Sequence, residues 1–149
     1  MRPMILAAAL LSVCAPATPD DWTRHEMAFG AFTMAVPPDM APEEVEGTDS
    51  FAAAFVNRDL RIDVDYGLYG GLPLVKTDAP RRERISGQAV DVIERFDRGV
   101  GDLYALFESP PRRGSGGVLE PTDALSLHVA CATPEACEVG RVVLHSVRF

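Results

Sequence analysis

The sequence predicts an α+β domain: an antiparallel sheet of about five to six strands with one C-terminal helix packed on it. Several short segments alternate apolar and polar residues, as half-buried strands do. The last segment instead places apolar residues at helical spacing. The length of 149 residues suits a single domain, and 47% hydrophobic with 24% charged residues is typical of a globular chain.

The domain is predicted to begin with a polar lead-in at residues 18–26 and a strand at residues 27–36. Gly30 permits a bend or bulge within that strand. The Pro-Pro pair at 37–38 ends it, because proline cannot donate to a strand ladder. An acidic loop is expected over residues 39–50.

A hairpin is predicted next, with strands at residues 51–56 and 60–66 joined by a turn at 57–59. In its second strand apolar residues occupy every second position from Leu60 to Tyr66. The polar residues between them are Arg61, Asp63 and Asp65. One face of this strand therefore packs on a core, and the other faces water.

Residues 67–80 are predicted as a loop because glycine and proline are frequent there. Residues 81–84 are interpreted as a single helical turn. Two strands are expected at 86–96 and 103–107, with a polar, glycine-containing connection at 97–102.

A strand is predicted at residues 124–130, before the C-terminal helix. Its apolar residues Leu125, Leu127 and Val129 share one face, and His128 is predicted on the water-facing side. Thr133 is a typical N-cap residue, Pro134 suits the first helical position, and Glu135 places a negative charge in the first turn. Residues 146–149 are expected to leave the helix and to pack the last aromatic ring on the sheet.

Residues 1–17 are predicted to be a signal peptide. A basic residue is followed by an uncharged stretch at residues 4–13, and Ala15 and Ala17 supply the small residues before a cleavage site after Ala17. Ten residues at about 1.5 Å each are too short for a bilayer core of about 30 Å, so this stretch is not predicted to be a membrane span. The mature chain is then one domain, residues 18–149.

A second processing route is open at Cys14. The tetrapeptide Leu11-Ser12-Val13-Cys14 resembles the lipobox of bacterial lipoproteins, with Val13 at a position where that motif prefers Gly, Ala or Ser. The resemblance implies cleavage after Val13 and a lipid on Cys14. Both routes export the protein, so we expect a periplasmic or secreted protein or, alternatively, a membrane-anchored lipoprotein.

Either route leaves two cysteines, Cys131 and Cys137. An oxidising compartment favours a disulfide between them, and the alternative is two unpaired thiols that pack as small apolar residues. Their spacing excludes a Cys-x-x-Cys redox motif, and a zinc site would need two more ligands.

The net charge of −8 at pH 7 argues against nucleic-acid binding, which depends on clustered basic residues. An acidic chain is also repelled by anionic lipid headgroups. A lipid on Cys14 is therefore the one membrane attachment that we expect.

Three short stretches of the sequence resemble a known protein family. They are Phe32-x-Met34-x-Val36-Pro37 before an acidic loop, Ser86-Gly87-x-Ala89, and Leu144-x-Ser146-Val147-Arg148-Phe149. They resemble the PsbP-like α/β/α sandwich, named for the extrinsic subunit P of photosystem II and shared by several small bacterial lipoproteins. The resemblance implies that fold and an accessory, adaptor or binding role, and it transfers no functional residue.

Catalytic motifs are scarce. Ser115 lies in Arg-Gly-Ser-Gly-Gly, where Arg113 replaces the first glycine of the Gly-x-Ser-x-Gly elbow, within a flexible connection predicted at residues 110–117. The three histidines are not spaced for a shared metal site; they are His25, His128 and His145. Asp59, Asp63 and Asp65 do not follow the calcium-loop template. No metal, cofactor or catalytic residue is predicted.

Two weaker binding candidates remain. The basic clusters at residues 81–84 and 112–113 are candidate anion contacts or, alternatively, solvated surface charge. Tyr66, Tyr69 and the Gly-Gly pair at 70–71 are candidates for the edge of a small-molecule pocket.

We therefore expect an exported, non-enzymatic envelope protein that binds a protein partner or a small ligand as an accessory module. One alternative is an immunity-type protein whose acidic surface meets a basic periplasmic toxin. Another is a small exported hydrolase that uses Asp63, Asp65 and His128, which requires these side chains to converge in a pocket.

Overall fold

The computed structural model describes residues 16–47, 50–67, 71–73, 78–108 and 123–149. These ranges contain nine strands and one α-helix, with a 3₁₀ turn at Ala28–Gly30. In chain order the elements are β1 (Thr23–Met27), β2 (Phe32–Val36), β3 (Ala41–Glu43), β4 (Ser50–Val56), β5 (Leu60–Gly67), β6 (Arg81–Ile85), β7 (Gln88–Asp97), β8 (Val100–Glu108), β9 (Ala124–Cys131) and α1 (Pro134–His145).

Seven of the strands form one antiparallel sheet in the order β3-β4-β5-β9-β8-β7-β6, and β1 and β2 form a separate antiparallel pair. Helix α1 packs across β9, β8 and β5 and also contacts β2. The predicted α+β class, with an antiparallel sheet and a C-terminal helix, is confirmed. The sheet is wider than predicted because β3 and β6 extend its two edges.

The hydrophobic core lies between this sheet and the layer that α1 and the β1–β2 pair form. We call the sheet face toward that layer the inner face, and the opposite one the outer face. Large side chains from both layers fill the core, among them Phe32, Met34, Ile62, Val64, Leu103, Phe107, Leu127, Val143 and Leu144. The alternation that the sequence predicted for β5 and β9 directs their apolar residues inward, and their polar residues occupy the outer face.

The start of α1 follows the predicted signals. The Thr133 side chain accepts a hydrogen bond from the Ala136 backbone N–H at 3.1 Å, and Pro134 takes the first helical position. At Gly140 a Cβ atom would collide with the side chain of Val129, so the missing side chain lets α1 approach β9 closely.

A disulfide joins Cys131 at the end of β9 to Cys137 in α1, with the Cα atoms 5.2 Å apart. The predicted pairing is confirmed, and it holds the first turn of the helix against the sheet. After the helix, Arg148 exchanges two backbone hydrogen bonds with Thr33. The ring of Phe149 then packs on the core beside Phe32 and Phe107, as predicted.

Three local predictions were wrong. The lead-in at 18–26 contains most of β1, the acidic loop at 39–50 contains β3, and the helical turn expected at 81–84 is the edge strand β6. These segments are rich in charge or interrupted by proline, so tertiary pairing rather than an apolar pattern decides their conformation. Charged edge strands also protect a sheet from pairing with other chains.

The predicted strand at 27–36 is two strands that meet at a reversal. Ala28, Phe29 and Gly30 all adopt positive φ, so the chain turns back where a bend was expected. The connection expected at 97–102 is a two-residue hairpin turn, Arg98-Gly99, with positive φ at both positions.

Several predictions fall on residues that lie outside the described ranges. These are residues 1–15, with most of the predicted signal peptide and Cys14, then Tyr69 and Gly70, and the connection at 110–117 with Arg112, Arg113 and Ser115. Among the described residues, no helix has the length and apolar character that a membrane crossing requires.

Candidate functional site

The outer face of the sheet holds a polar cluster centred on His128 in β9. Leu127 and Val129 point into the core, so His128 between them points outward. Strand register places Asp63 of β5 directly opposite His128 on one side and Tyr104 of β8 on the other. The histidine is thereby set between an acidic and an aromatic neighbour.

Both nitrogens of the His128 ring face carboxylates. Nε2 lies 2.7 Å from Asp102 Oδ1, and Nδ1 lies 3.4 Å from Asp63 Oδ2. The ring also stacks on Tyr104, with the centroids 4.5 Å apart and the planes inclined by 4°. A carboxylate accepts hydrogen bonds, and an imidazole N–H donates them. The ring is therefore hydrogen-bonded to Asp102 through Nε2 and lies beside Asp63 through Nδ1.

Two arginines flank this cluster. Arg61 pairs with Asp63 at 2.8 Å, and hydrogen bonds to Asp63 and then Glu43 raise the pKa of the arginine. Arg95 lies 4.9 Å above the ring of Tyr104 and pairs with Asp78 at 2.6 Å. The hydrogen bond to Asp78 raises the pKa of Arg95.

Arg95 also donates a hydrogen bond to the carbonyl of Pro73. Because it bonds both Pro73 and Asp78, this arginine attaches the chain on either side of the undescribed residues 74–77 to the outer face.

A cavity of about 420 Å³ lies beside the cluster, and we call it the outer cavity. Its lining includes Ala52, Asp63, Asp65, Leu72, Ser126 and His128. Ala52 of β4 and Ser126 of β9 flank Asp65 across the sheet, and both side chains are small. The neighbouring positions hold the large rings of His128 and Tyr104. The cavity therefore forms where small side chains leave a gap beneath residues 71–73.

Two polar groups of the outer cavity have no partner among the described residues. The Oγ of Ser126 is buried and makes no hydrogen bond. Asp65 is exposed, and the described part of the chain places neither a hydrogen-bond donor nor a cation against its carboxylate. A buried hydroxyl without a partner costs free energy, so the cavity has unused hydrogen-bonding capacity.

The sequence-predicted residues are partly brought together. Asp63, Asp65 and His128 all line the outer cavity, and so does Gly71. Tyr66 does not, because its ring packs on Phe32 at the inner face. Sequence reasoning missed Ser126 and Asp102, since only the strand register places them beside these residues.

The other two histidines are remote from the cluster. His25 contacts the ring of Phe55, with the centroids 5.1 Å apart, and His145 lies 3.3 Å from Glu83. In the described ranges, no group of three or more His, Cys, Asp or Glu side chains is arranged to hold a metal ion.

A larger groove of about 850 Å³ lies between α1 and β6, with Trp22, Val139 and Val142 among its apolar residues. Most of its charges pair with one another or with Glu94. Arg81 contacts Glu83 at 2.6 Å and Glu94 at 3.3 Å. The groove is larger than the outer cavity, but the outer cavity combines unpartnered polar groups with an apolar wall and is the better candidate.

Glu94 lies between two arginines, with Arg141 at 3.0 Å and Arg81 at 3.3 Å. Burial raises the pKa of Glu94, but the hydrogen bond and charge of Arg141, assisted by Arg81, outweigh burial and leave the pKa below its ordinary value. The arginines of the predicted basic cluster at 81–84 therefore pair largely with acidic residues of the protein itself. Arg81 pairs with Glu83 and Glu94, and Arg82 pairs with Asp91 at 2.8 Å.

No family model, curated protein or solved structure matches this chain.

Proposed function

We propose that this protein is an exported, non-enzymatic module that binds a small ligand in the outer cavity. The main support is that an apolar wall there accompanies two polar groups, Ser126 Oγ and the Asp65 carboxylate, that have no partner among the described residues. Ligand sites are typically concave and mostly apolar, with a few polar groups that fix the orientation of the ligand.

The geometry at His128 favours binding over catalysis. A histidine that activates a hydroxyl nucleophile needs one ring nitrogen free to accept the proton. Here Asp102 takes Nε2 at 2.7 Å and Asp63 lies 3.4 Å from Nδ1, and Ser126 Oγ makes no hydrogen bond to either ring nitrogen. In this arrangement the imidazole ring lies between two carboxylates beside the cavity.

Two features support export. Residues 1–17 have the composition of a signal peptide, and the Cys131–Cys137 disulfide suits an oxidising compartment. The intact mass of the protein from its native envelope tests this half of the proposal. A chain that begins at Thr18, or at an acylated Cys14, would support export, and an unprocessed chain with free thiols would contradict it.

Equilibrium dialysis against the small-molecule extract of the source cells tests the binding half. We expect mass spectrometry to detect at least one compound enriched with the wild-type protein and lost with Ala52→Leu, which fills the cavity floor. Ala89→Leu is the matched control, because Ala89 is an exposed strand residue away from the cavity. Equal enrichment by the two variants would contradict binding at this site.

A hydrolase is a second candidate, favoured by the convergence of Asp63, Asp65 and His128 on one cavity. It requires one of the carboxylates to release His128 when the substrate binds. If the triple substitution of these residues by alanine abolishes a measurable hydrolysis, this candidate gains support. If turnover is unchanged in the triple variant, it is excluded.

A further inference from the structure

We infer that the ligand of the outer cavity is a small amine, with one ammonium group on a short apolar body. This inference rests on the proposed function, that the cavity binds a small ligand. It adds the chemical class, which follows from the charges, the buried hydroxyl and the wall of the cavity.

The charges at the cavity favour a cation. Asp63 is shared by Arg61 and His128, and Asp102 also faces His128. Asp65 lines the same cavity and has no cation beside it in the described part of the chain. The protein as a whole has a net charge of −8. An anionic ligand would be repelled by Asp65, whereas an ammonium group would supply a partner for its carboxylate.

The buried hydroxyl lies where an ammonium group at Asp65 would reach it. Ser126 is the direct cross-strand neighbour of Asp65 in the β5–β9 register, on the same face of the sheet. Cross-strand neighbours have Cβ atoms about 5 Å apart. An ammonium group offers three donors, so it can bond the carboxylate of Asp65 and the Oγ of Ser126 together.

The remaining wall of the cavity is apolar, and it limits the size and polarity of the rest of the ligand. Ala52, Leu72 and Pro73 line the cavity beside the two polar groups. Its volume of about 420 Å³ lies toward the lower end of the usual range for ligand sites. A short alkyl or aryl amine matches this combination of one charged end and an apolar remainder.

An alkylammonium group also ends a lysine side chain, so a free amine and a partner's lysine share the same chemistry. We assign the free amine, because residues 71–73 lie over the cavity and leave less room for an attached peptide backbone. Comparison of hexylamine with Nα-acetyl-lysine methylamide distinguishes the two sources. Weaker binding of the lysine compound supports the free amine, and tighter binding overturns that assignment.

The test is calorimetric titration of the oxidised protein with hexylamine and with 1-hexanol, which has the same alkyl chain but no charge. We expect hexylamine to bind about tenfold more tightly, as one charge-assisted contact would produce. Asp65→Asn should remove most of this difference. Asp97→Asn is the matched control, because it removes the same charge at an exposed position outside the cavity and should leave the difference intact.

The possible outcomes test the inference about the ligand class separately from the proposal about the binding site. If hexanol binds as tightly as hexylamine and Ala52→Leu abolishes both, the amine inference is overturned while the proposed binding function stands. If Ala52→Leu leaves the binding of both probes unchanged, the site itself is wrong. If hexylamine does not bind at all, the amine inference fails, and the dialysis experiment with the unrestricted extract decides the binding function independently.

Discussion

The imidazole ring of His128 lies face to face on the phenol ring of Tyr104, with the centroids 4.5 Å apart and the planes 4° from parallel. The β8–β9 register makes these residues direct neighbours, and Arg95 covers the Tyr104 ring at 4.9 Å. Stacking fixes the plane of the imidazole, so its nitrogens are directed at Asp63 and Asp102. Tyr104 therefore positions the polar side of the outer cavity without contributing a charge.

This stacking should be measurable as stability. We expect Tyr104→Leu to lower the free energy of unfolding by about 1 kcal/mol, because an aromatic pair adds roughly that amount beyond its buried area. Tyr104→Phe keeps the ring and should behave like the wild type. Urea denaturation of both variants checks this. An equal loss in both would show that the hydroxyl group, and not the stacking, is responsible.

Two serines with buried hydroxyl groups should respond to alanine substitution with opposite signs. In ligand-free protein, Ser126→Ala should raise the free energy of unfolding by about 1 kcal/mol, because it removes a hydroxyl that has no partner in the described part of the chain. Ser146→Ala should lower it by about 2 kcal/mol. The Ser146 Oγ accepts from the Ala35 N–H at 2.9 Å and donates to the Val143 carbonyl at 2.6 Å.

The same denaturation experiment measures both serine variants. A loss of stability in Ser126→Ala comparable to that in Ser146→Ala would mean that the Ser126 hydroxyl is satisfied within the protein. It would then be unavailable to a ligand, and one of the two polar anchors of the outer cavity would be lost.

The disulfide should contribute moderately to stability because it closes a short loop. Cys131 and Cys137 are six residues apart, for which chain entropy gives about 2 kcal/mol. The double variant Cys131→Ala/Cys137→Ala should lose about that much, and reduction of the wild type should match it. If thermal unfolding of the oxidised, reduced and double-variant proteins coincides, the bridge does not stabilise the fold.

Glu94 should make stability depend on acid pH. Its pKa is lowered in the folded protein, chiefly by Arg141 acting against burial, so its contribution is complete above the unfolded pKa and is lost as pH falls through the folded one. The stability difference between wild type and Glu94→Gln should therefore shrink as pH falls from about 7 to about 3. Denaturation at stepped pH measures it, and a constant difference would contradict the role of this ion pair.

The sequence predicted the elements of the fold correctly where an apolar pattern was present. Alternation predicted β5 and β9, and the Thr133-Pro134 signal predicted the start of α1. The pattern failed for β6, whose charged residues become a strand only through pairing with β7. Local sequence has no signal for pairing with a distant segment.

The site was predicted only in part, for the same reason. Asp63 and Asp65 were recognised as polar residues of an exposed strand face, and His128 was placed on the outer side of its strand. Asp102 and Ser126 lie beside them only because of the register of β8, β9 and β5, which brings together residues far apart in the chain. The cavity itself arises from the contrast between small side chains at Ala52 and Ser126 and the rings beside them.

The most direct test of ligand binding in the outer cavity is amide chemical-shift mapping of the oxidised, ¹⁵N-labelled protein with a mixture of small organic fragments. We predict that the shifts concentrate at Ala52, Asp65 and Ser126 and that Ala52→Leu abolishes them. Shifts confined to Val139 and Val142, in the groove between α1 and β6, would contradict the account and relocate the binding site.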